Sequence, residues 1–220
     1  MDTVYEERFS NGQIKLRINY TNGKRNGLSN ERYANGRLRK CINYKNGYLD
    51  GLYEEWYSNG NLMFRINYKQ GKLDGLYERY ADNGQLVERI NYKSNERDGM
   101  YKLWYPNGKL AKRTYYRNGE QYGLAEEWYS NGQLKECLIY NKNGNLHGKC
   151  KWYYPNGQLM FSGIYEDGLE TTEKWDELNE IFHMFIQNSP AELYEFIEEW
   201  CNKWNVSDSP ALIMLAYLKR

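Results

Sequence analysis

Residues 53–68, YEEWYSNGNLMFRINY, hold the pattern that determines the fold, because most of the chain repeats it. The central Asn-Gly pair recurs at a spacing of 24 residues five times and of 25 residues once. Ile or Leu stands two residues after each Gly, and Tyr follows six residues later. The seven pairs begin at Asn11, Asn35, Asn59, Asn83, Asn107, Asn131 and Asn156. A fixed period of this length indicates a repeat architecture.

Each repeat is predicted to be a β-hairpin. Asn-Gly is the preferred pair for a two-residue type I′ turn, in which both central residues have positive φ. In most repeats a second glycine, such as Gly47 or Gly71, follows the tyrosine of the repeat pattern. We therefore expect strand, tight Asn-Gly turn, strand and looser glycine turn in each repeat. The fourth repeat has Ser94 and Asn95 in place of the second glycine, so its loop is expected to differ.

The predicted turn also predicts the strand register. Residues at equal distances from an Asn-Gly pair should face each other, which places Glu6 opposite Arg17 and Glu54 opposite Arg65. The third pair of this kind is Glu78 with Arg89. Opposite charges at directly opposed positions favour an antiparallel register.

Alternation along the strands then predicts two unequal faces. The mixed face of the third repeat would carry Leu52, Glu54, Trp56, Met63, Arg65 and Asn67. The opposite face is apolar and aromatic, and we predict that it binds a partner. Its residues are Tyr53, Tyr57, Leu62, Phe64, Ile66 and Tyr68.

The predicted fold class is mainly β: an elongated antiparallel array of seven β-hairpins of about 24 residues, in a single-layer meander. Residues 1–168 would form this array, and residues 169–220 a C-terminal helical segment of about three short helices. The first strand, around Val4 to Phe9, would be an open edge, so Val4, Tyr5 and Phe9 are predicted to bind a partner strand.

Helical periodicity replaces the turn pattern after Gly168. Pro190 stands at the first position of a predicted second helix, within a capping box. The segment either caps the last repeat or provides a docking helix for a partner, and the sequence leaves both open. The two apolar stripes are Trp175, Leu178, Ile181, Phe182 and Phe185, and then Leu193, Phe196, Ile197, Trp200 and Trp204.

The repeats resemble the variant MORN repeat, which occurs in bacterial antitoxin-like proteins and in large DNA viruses. The resemblance rests on segments such as 56–62, WYSNGNL, and 128–134, WYSNGQL, and covers residues 4–168. It implies a β array that makes protein–protein or membrane-proximal contacts, without catalysis by the repeats. The Gly-x-Gly of the eukaryotic form is absent between the aromatic residues. Abundant Asn, Lys, Tyr and Ile favour a bacterial or large-virus source.

Charge and composition argue against several classes. The 30 Lys and Arg nearly balance the 29 Asp and Glu, whereas nucleic-acid binders usually carry a basic surplus. The first ten residues hold no apolar run, so a soluble, cytoplasmic protein is expected, in the host cytoplasm or the virion if viral. No glycine-rich phosphate-binding motif is present, and no cofactor or small-molecule substrate is expected.

The residues that could carry catalysis or hold a metal are few. His147 is expected in a repeat loop and His183 in a helix, and neither belongs to a recognisable triad or metal site. Without a Cys-x-x-Cys pair, Cys41, Cys137, Cys150 and Cys201 are expected to be free, reduced thiols. The chain is therefore predicted not to be an enzyme.

Two charged columns repeat along the array. The acidic column, Glu7, Glu31, Glu55 and Glu127, is expected to be a solvated face, because an active site is not usually repeated in every unit. The basic column, Arg17, Arg65, Arg89 and Arg113, is expected to pair with Glu across the strands. Its alternative role is phosphate binding.

These features predict a scaffold for protein–protein interactions, such as a structural component of a large-virus particle. One alternative is an antitoxin-like protein that neutralises a toxin. Another is a membrane-surface adaptor that binds anionic lipid through Arg and Lys. Self-association is compatible with each of these functions.

Overall fold

The computed structural model describes residues 1–171, which form seventeen β-strands and no helix. Accordingly, no helix that could cross a membrane occurs in this part of the chain. The chain divides into two compact units, Met1–Lys109 and Leu110–Arg220. The predicted C-terminal helices, with His183 and Cys201, lie outside the described residues.

The first unit is an antiparallel meander of eleven strands. Each hairpin strand pairs with its neighbour in sequence; β3 and β4 both pair with β2, and β10 and β11 both pair with β9. The strands are β1 (Asp2–Arg8), β2 (Ile14–Thr21), β3 (Lys24–Arg25), β4 (Gly27–Arg32), β5 (Leu38–Lys45), β6 (Tyr48–Trp56), β7 (Leu62–Lys69), β8 (Lys72–Tyr80), β9 (Leu86–Lys93), β10 (Glu96–Arg97) and β11 (Gly99–Trp104).

The second unit continues the same motif with six described strands. They are β12 (Leu110–Arg117), β13 (Glu120–Trp128), β14 (Leu134–Tyr140), β15 (Gly148–Tyr153), β16 (Leu159–Glu166) and β17 (Leu169–Thr171). Each pairs antiparallel with the next. The mainly β antiparallel meander is thus confirmed, and its last described strand ends at Thr171.

The predicted register is confirmed in the bodies of the hairpins. Glu6 lies opposite Arg17, Glu54 opposite Arg65, and Glu78 opposite Arg89. The Asn-Gly turn, however, is not the two-residue turn from which this register was predicted. The register is nevertheless correct because a bulge compensates for the longer loop.

The Asn-Gly pairs do not form two-residue type I′ turns. In the third repeat the amide of Gly60 donates to the carbonyl of Tyr57, and the amide of Tyr57 donates to the carbonyl of Asn61, both at 2.9 Å. Of the pair, only Gly60 has a positive φ, 98°. Ser58, Asn59 and Gly60 therefore form a three-residue loop, a type I turn followed by a glycine in the left-handed region.

A β-bulge restores the register that the longer loop displaces. Glu55 lies opposite Phe64, but the next residue, Trp56, lies opposite Leu62, so Met63 is the additional residue. Residues that oppose each other directly share a face of the sheet. Trp56 and Leu62 therefore share a face, and the prediction that they lie on opposite faces is wrong, because strict alternation fails at a bulge.

The type I′ turns are the connections between repeats, where a looser turn was predicted. Asn46 and Gly47 have φ of 53° and 93°, and the residues flanking them, Lys45 and Tyr48, pair directly. Ser94 and Asn95 adopt the same geometry, with φ of 51° and 76°. The expectation that this loop differs is wrong, because Asn also tolerates the left-handed region.

One connection does differ, and it explains the single 25-residue spacing. The amide of Asn141 donates to the carbonyl of Asn145 at 2.8 Å, and that of Gly144 donates to the carbonyl of Asn141 at 3.1 Å. The connection after β14 is therefore a three-residue loop, one residue longer than the type I′ turns.

The residues at one position of the repeat, most of them apolar, form a column in the interior of each unit. Ile18, Ile66 and Ile90 are buried in the first unit, and Leu138 in the second. Thr114 stands in the same column and is fully buried. In the second unit Leu138 packs with Ala125 and Cys150 beneath half-buried aromatic side chains. The same column therefore contributes to the core in most repeats, although Ile42 is only half-buried and the seventh repeat has Gly163 at this position.

Candidate functional site

At three of the Asn-Gly loops the asparagine side chain bonds the next loop along the array. The side-chain oxygens of Asn35, Asn59 and Asn131 each accept a hydrogen bond from the amide two residues later. Their amide nitrogens donate to main-chain carbonyls of the next repeat, those of Ser58, Asp82 and Pro155. The asparagine is therefore required for its hydrogen bonds and not, as the sequence suggested, for a positive φ.

A tyrosine that precedes several of the loops makes a second connection between repeats. The hydroxyl of Tyr33 donates to the carbonyl of Trp56 at 2.7 Å, and that of Tyr57 to the carbonyl of Tyr80 at 3.0 Å. In the second unit Tyr129 bonds the carbonyl of Tyr153 at 2.8 Å. This role was not predicted, although Tyr stands before Ser-Asn-Gly in two repeats, at Tyr57 and Tyr129.

An aromatic row, defined as Tyr53, Phe64, Tyr68, Tyr77 and Tyr92, runs across neighbouring strands of the first unit. Its ring centroids are 6.1 Å apart for Tyr53 and Tyr68, 6.2 Å for Phe64 and Tyr77, and 5.9 Å for Tyr77 and Tyr92. These distances suit edge-to-face aromatic contacts. The rings are half-buried, so each still presents part of its surface to solvent.

Burial has a measurable consequence for the row's hydroxyl groups. It raises the pKa of Tyr68 and, more strongly, that of Tyr53, where a hydrogen bond to Glu55 adds to the effect. Burial is also the first cause of the raised pKa of Tyr77, followed by the nearby charge of Glu88. All three hydroxyls are therefore neutral hydrogen-bonding groups at physiological pH.

The structure brings together part of the predicted partner-binding face. Tyr53, Phe64 and Tyr68 belong to the aromatic row. Ile66 is only 8% exposed and belongs to the core. Tyr57 lies at the loop, where its hydroxyl bonds the next repeat, and Leu62 lies opposite Trp56 at the bulge. Of the six residues predicted for this face, Tyr53, Phe64 and Tyr68 thus lie on the extended surface of the aromatic row.

The basic column is paired with glutamates, as its sequence pattern indicated. Arg65 bonds Glu54 at 3.0 Å, Arg89 bonds Glu78 at 2.5 Å, and Arg113 bonds Glu126. Arg17 lies 3.8 Å from Glu6. A guanidinium group that already faces a carboxylate has less to offer a phosphate, so this column does not form a ready anion site.

The acidic column is likewise engaged. Glu7 pairs with Lys15 at 2.7 Å, Glu31 with Arg39 at 2.8 Å, and Glu55 with Lys40 at 3.5 Å. These pairs are partly exposed to solvent. The carboxylates therefore neutralise neighbouring cations.

Glu127 and Glu136 are a like-charged pair directly opposite each other on β13 and β14. Burial acts to raise the pKa of Glu127, but hydrogen bonds from Lys112 and Lys135 outweigh it and lower that pKa. Burial raises the pKa of Glu136, and the charge of Glu127 raises it further. The charged form of Glu136 is therefore disfavoured at neutral pH, whereas that of Glu127 is stabilised.

The predicted edge lies at strand β1. Val4 and Tyr5 are 51% and 50% exposed. Phe9, which was predicted to belong to the edge, lies beyond the end of β1 and closes the first loop, since its amide donates to the carbonyl of Gln13 at 2.9 Å. The exposed edge therefore consists of Val4 and Tyr5, without Phe9.

A second exposed apolar surface, which was not predicted, lies near the end of the described residues. It lies on β16, β17 and the loop before β16, and Phe161 packs on Trp152 at a centroid distance of 5.4 Å. Because these residues occupy ordinary repeat positions, only the end of the described array exposes them. Its members are Tyr154, Leu159, Met160, Phe161 and Leu169.

Two further kinds of site, metal sites and reactive thiols, can be considered within residues 1–171. No group of three or more His, Cys, Asp or Glu residues there could hold a metal ion. Cys41, Cys137 and Cys150 are free thiols, as predicted. The amide of His147 donates to the carbonyl of Ile139 at 2.8 Å, within a connection between strands, where a turn residue was expected.

A comparison with known protein families identifies these repeats. The MORN repeat variant matches residues 25–46, 49–70, 73–94, 97–118, 121–142 and 146–167. Each match begins just after one inter-repeat turn and extends to the next, with an Asn-Gly loop in its middle. No curated protein sequence matches the chain. With six matched repeats over more than half of its length, the chain belongs to the MORN repeat variant family.

Proposed function

We propose that this chain is a non-enzymatic repeat scaffold that binds another protein through its aromatic row, as a structural component of a larger assembly. Repeats of this family commonly mediate protein or membrane interactions. The observation that carries the proposal is the row itself, which places five half-buried aromatic rings across neighbouring strands of one unit.

Tyrosine and phenylalanine suit this role for a physical reason. They offer large contact areas at a low cost in side-chain entropy, and both are enriched in protein interfaces. The hydroxyls of Tyr53, Tyr68 and Tyr77 add hydrogen-bonding capacity to the apolar rings. A partner that covers the row would bury the part of each ring that is still exposed.

The backbone beneath the row supports a scaffold because it is fixed by more than strand pairing. Side chains of Tyr57 and Asn59 bond the loop of the next repeat. The amide of Gly71 donates to the carbonyl of Leu49 at 2.7 Å, which joins consecutive inter-repeat turns on the other side of the strands. A surface held at both ends of its strands loses little further entropy when it binds.

The pattern of ion pairs favours a protein partner over a phosphate-bearing one. Arg65 and Arg89, which lie among the same strands, already contact Glu54 and Glu78. Attraction to an anionic membrane would have to compete with these carboxylates.

The test compares two adjacent residues on opposite faces of β7. Tyr68→Ser removes a ring of the row, and Lys69→Ser makes the same substitution at the neighbouring exposed residue. Each full-length variant serves as bait for quantitative affinity capture from the native source, after circular dichroism has shown that it folds. We expect one or more proteins to be retained by the wild type and by Lys69→Ser, and to fall at least about tenfold with Tyr68→Ser.

Two results would contradict the proposal. One is equal capture of the same proteins by Tyr68→Ser and Lys69→Ser. The other is binding to vesicles that contain phosphatidylserine, with loss of binding at high salt and no protein captured through the row, which would support the membrane-adaptor alternative. If the captured protein were a toxin bound through the row, the proposed binding surface would be correct, but the function would be that of an antitoxin-like protein.

A further inference from the structure

Strand β1 presents an open edge. Within residues 1–171, the strand that pairs with β1 is β2, through seven consecutive positions from Asp2 to Arg8. Among the described strands, none lies beside the main-chain donors and acceptors of the opposite edge of β1. Such an edge is a template for another strand.

The centre of β1 is apolar and aromatic, although charged residues flank it on both sides. Val4 and Tyr5 at its centre are both about half exposed, at 51% and 50%. β-Branched and aromatic residues favour strand pairing, and the strand has neither proline nor glycine to interrupt it.

The charges of β1 are largely neutralised within its own hairpin. Glu6 contacts Arg8 at 2.7 Å and Arg17 at 3.8 Å, and Glu7 contacts Lys15 at 2.7 Å. With Asp2 included, three acidic residues face three basic ones in this hairpin. A second strand that approaches the edge therefore meets side chains whose charges balance.

We infer that β1 of one copy pairs antiparallel with β1 of a second copy, with Tyr5 on the twofold axis. In this register Tyr5 faces its own counterpart, and Val4 faces Glu6 of the other copy. Asp2 faces Arg8 of the other copy, and by symmetry this ion pair forms twice. Directly opposed aromatic residues and opposite charges both stabilise antiparallel pairs.

Neighbouring registers lack this complementarity. A shift of one residue in one direction places Asp2 opposite Glu7 of the other copy, and a shift in the other direction places Asp2 opposite Phe9. A shift of two residues places Asp2 opposite Glu6, or Glu6 opposite itself. Of these registers, only the one centred on Tyr5 forms the Asp2–Arg8 pairs without opposing like charges.

The groups required for the new ion pair are present. Asp2 is exposed and forms no ion pair within the described residues. Arg8 donates to Glu6 and to the carbonyl of Gly12, both from its terminal nitrogens, and a guanidinium group has five donors in all. Arg8 can therefore bind Asp2 of a second copy and keep its present contacts.

A charge-reversal cycle on the full chain tests the register. Sedimentation equilibrium from low micromolar to millimolar protein should show a monomer–dimer equilibrium for the wild type. Asp2→Arg places two arginines opposite each other, and Arg8→Asp places two aspartates opposite each other, so each should weaken dimerisation roughly tenfold. The double variant D2R/R8D restores opposite charges in the same register and should return the dissociation constant to near the wild-type value.

Disulfide trapping tests the position of the twofold axis. In a background that carries Cys41→Ser and Cys201→Ser, Tyr5→Cys should give a disulfide-linked dimer on mild oxidation, because opposed Cα atoms lie about 4.5–5.5 Å apart. Thr3→Cys is the matched control. Its two copies would lie about 14 Å apart, four residues along the strands, which is too far for a disulfide.

Each alternative outcome overturns the inference. A wild-type chain that remains monomeric at millimolar concentration excludes the dimer. A dimer that neither charge variant weakens, or that Thr3→Cys traps as readily as Tyr5→Cys, uses another surface or another register. The thermal unfolding midpoint of each variant, measured at low micromolar concentration, shows that a loss of dimer is not a loss of folding.

Discussion

The side-chain amide of Asn59 donates a hydrogen bond, 2.7 Å long, to the main-chain carbonyl of Asp82 in the next repeat. The oxygen of the same side chain accepts from the amide of Asn61 at 2.9 Å and so closes its own loop. One residue therefore shapes a turn and attaches it to the following turn. Asn35 and Asn131 have the same double role, whereas the side-chain amides of Asn11 and Asn156 bond within their own loops.

Separating the two roles of Asn59 by mutation gives the first prediction. Asn59→Asp keeps the acceptor and removes the donor, and we expect it to lower the free energy of unfolding by about 1 kcal/mol. Asn59→Ala removes both and should cost about 1–2 kcal/mol. Urea unfolding measures both changes. Asn61 also donates to the carbonyl of Asp82, which limits the loss.

Asn156 provides the matched control for this prediction. Its amide donates to Gln158 of its own loop at 2.9 Å, and its oxygen accepts from the amide of Gln158. Asn156→Asp therefore removes no bond between repeats and should cost less than Asn59→Asp. Equal costs would contradict the role of the side chain in connecting repeats.

The second prediction concerns the one polar member of the buried column. Thr114 is fully buried, and its hydroxyl oxygen has no hydrogen-bond partner within the described residues. Thr114→Val keeps the shape of the side chain and removes the unsatisfied hydroxyl, so it should raise the free energy of unfolding by about 1–2 kcal/mol. Thermal and urea unfolding provide the measurement.

The reverse substitution in the same column tests the explanation. Ile90 is 1% exposed, and Ile90→Thr removes apolar contacts and buries a hydroxyl. It should lower the free energy of unfolding by about 2–3 kcal/mol. If Thr114→Val destabilised the chain, the hydroxyl of Thr114 would have to make a stabilising interaction.

The third prediction uses the opposed carboxylates of Glu127 and Glu136. The lowered pKa of Glu127 means that its charged form stabilises the fold above its ordinary pKa of 4.5, and that this stabilisation disappears as the pH falls through the lowered value. The raised pKa of Glu136 has the opposite sign: its charged form costs stability at neutral pH, and the cost is relieved on acidification.

At pH 7, Glu136→Gln should therefore stabilise the chain and Glu127→Gln should destabilise it, each by about 0.5–1 kcal/mol. As the pH falls, the effect of Glu136→Gln should diminish first, through the raised pKa of Glu136, and that of Glu127→Gln only at lower pH, through the lowered pKa of Glu127. Unfolding curves at a series of pH values give these differences. Two substitutions with the same sign at pH 7 would contradict the assigned shifts.

The fourth prediction concerns thiol reactivity. Burial raises the pKa of Cys150 to about 11 and raises that of Cys137 still more, whereas Cys41 is half-buried with a smaller rise. Because the thiolate is the reactive form, Cys150 in the folded chain should react with iodoacetamide at pH 8 at least about a hundredfold more slowly than in the unfolded chain.

Peptide mass spectrometry after timed alkylation measures each cysteine separately. Cys41 should be modified first in the folded chain, and the three thiols should react at similar rates in denaturant. Fast native modification of Cys150 would show that β15 opens readily, against its fully buried position.

The sequence by itself determined the repeat, its antiparallel hairpins and the pairing of glutamates with arginines. These follow from local patterns: a 24-residue period, alternating apolar residues and charges at equal distances from a turn. The register was also correct, although the assumed turn was not. A bulge beside each three-residue loop adds the residue that compensates for the longer loop, so the arithmetic of the register is preserved.

Only the tertiary structure decided which turn is which, because Asn-Gly suits both a type I′ turn and the end of a three-residue loop. The role of Asn59 depends on its hydrogen bond to the next repeat, whose acceptor, the carbonyl of Asp82, lies more than twenty residues away in the sequence. The exposure of individual side chains was also decided by tertiary contacts. Ile66 and Tyr68 belong to one strand and one predicted face, yet neighbouring strands bury the first and leave the second half exposed. Local sequence fixes backbone preferences, whereas burial depends on side chains that distant segments bring together.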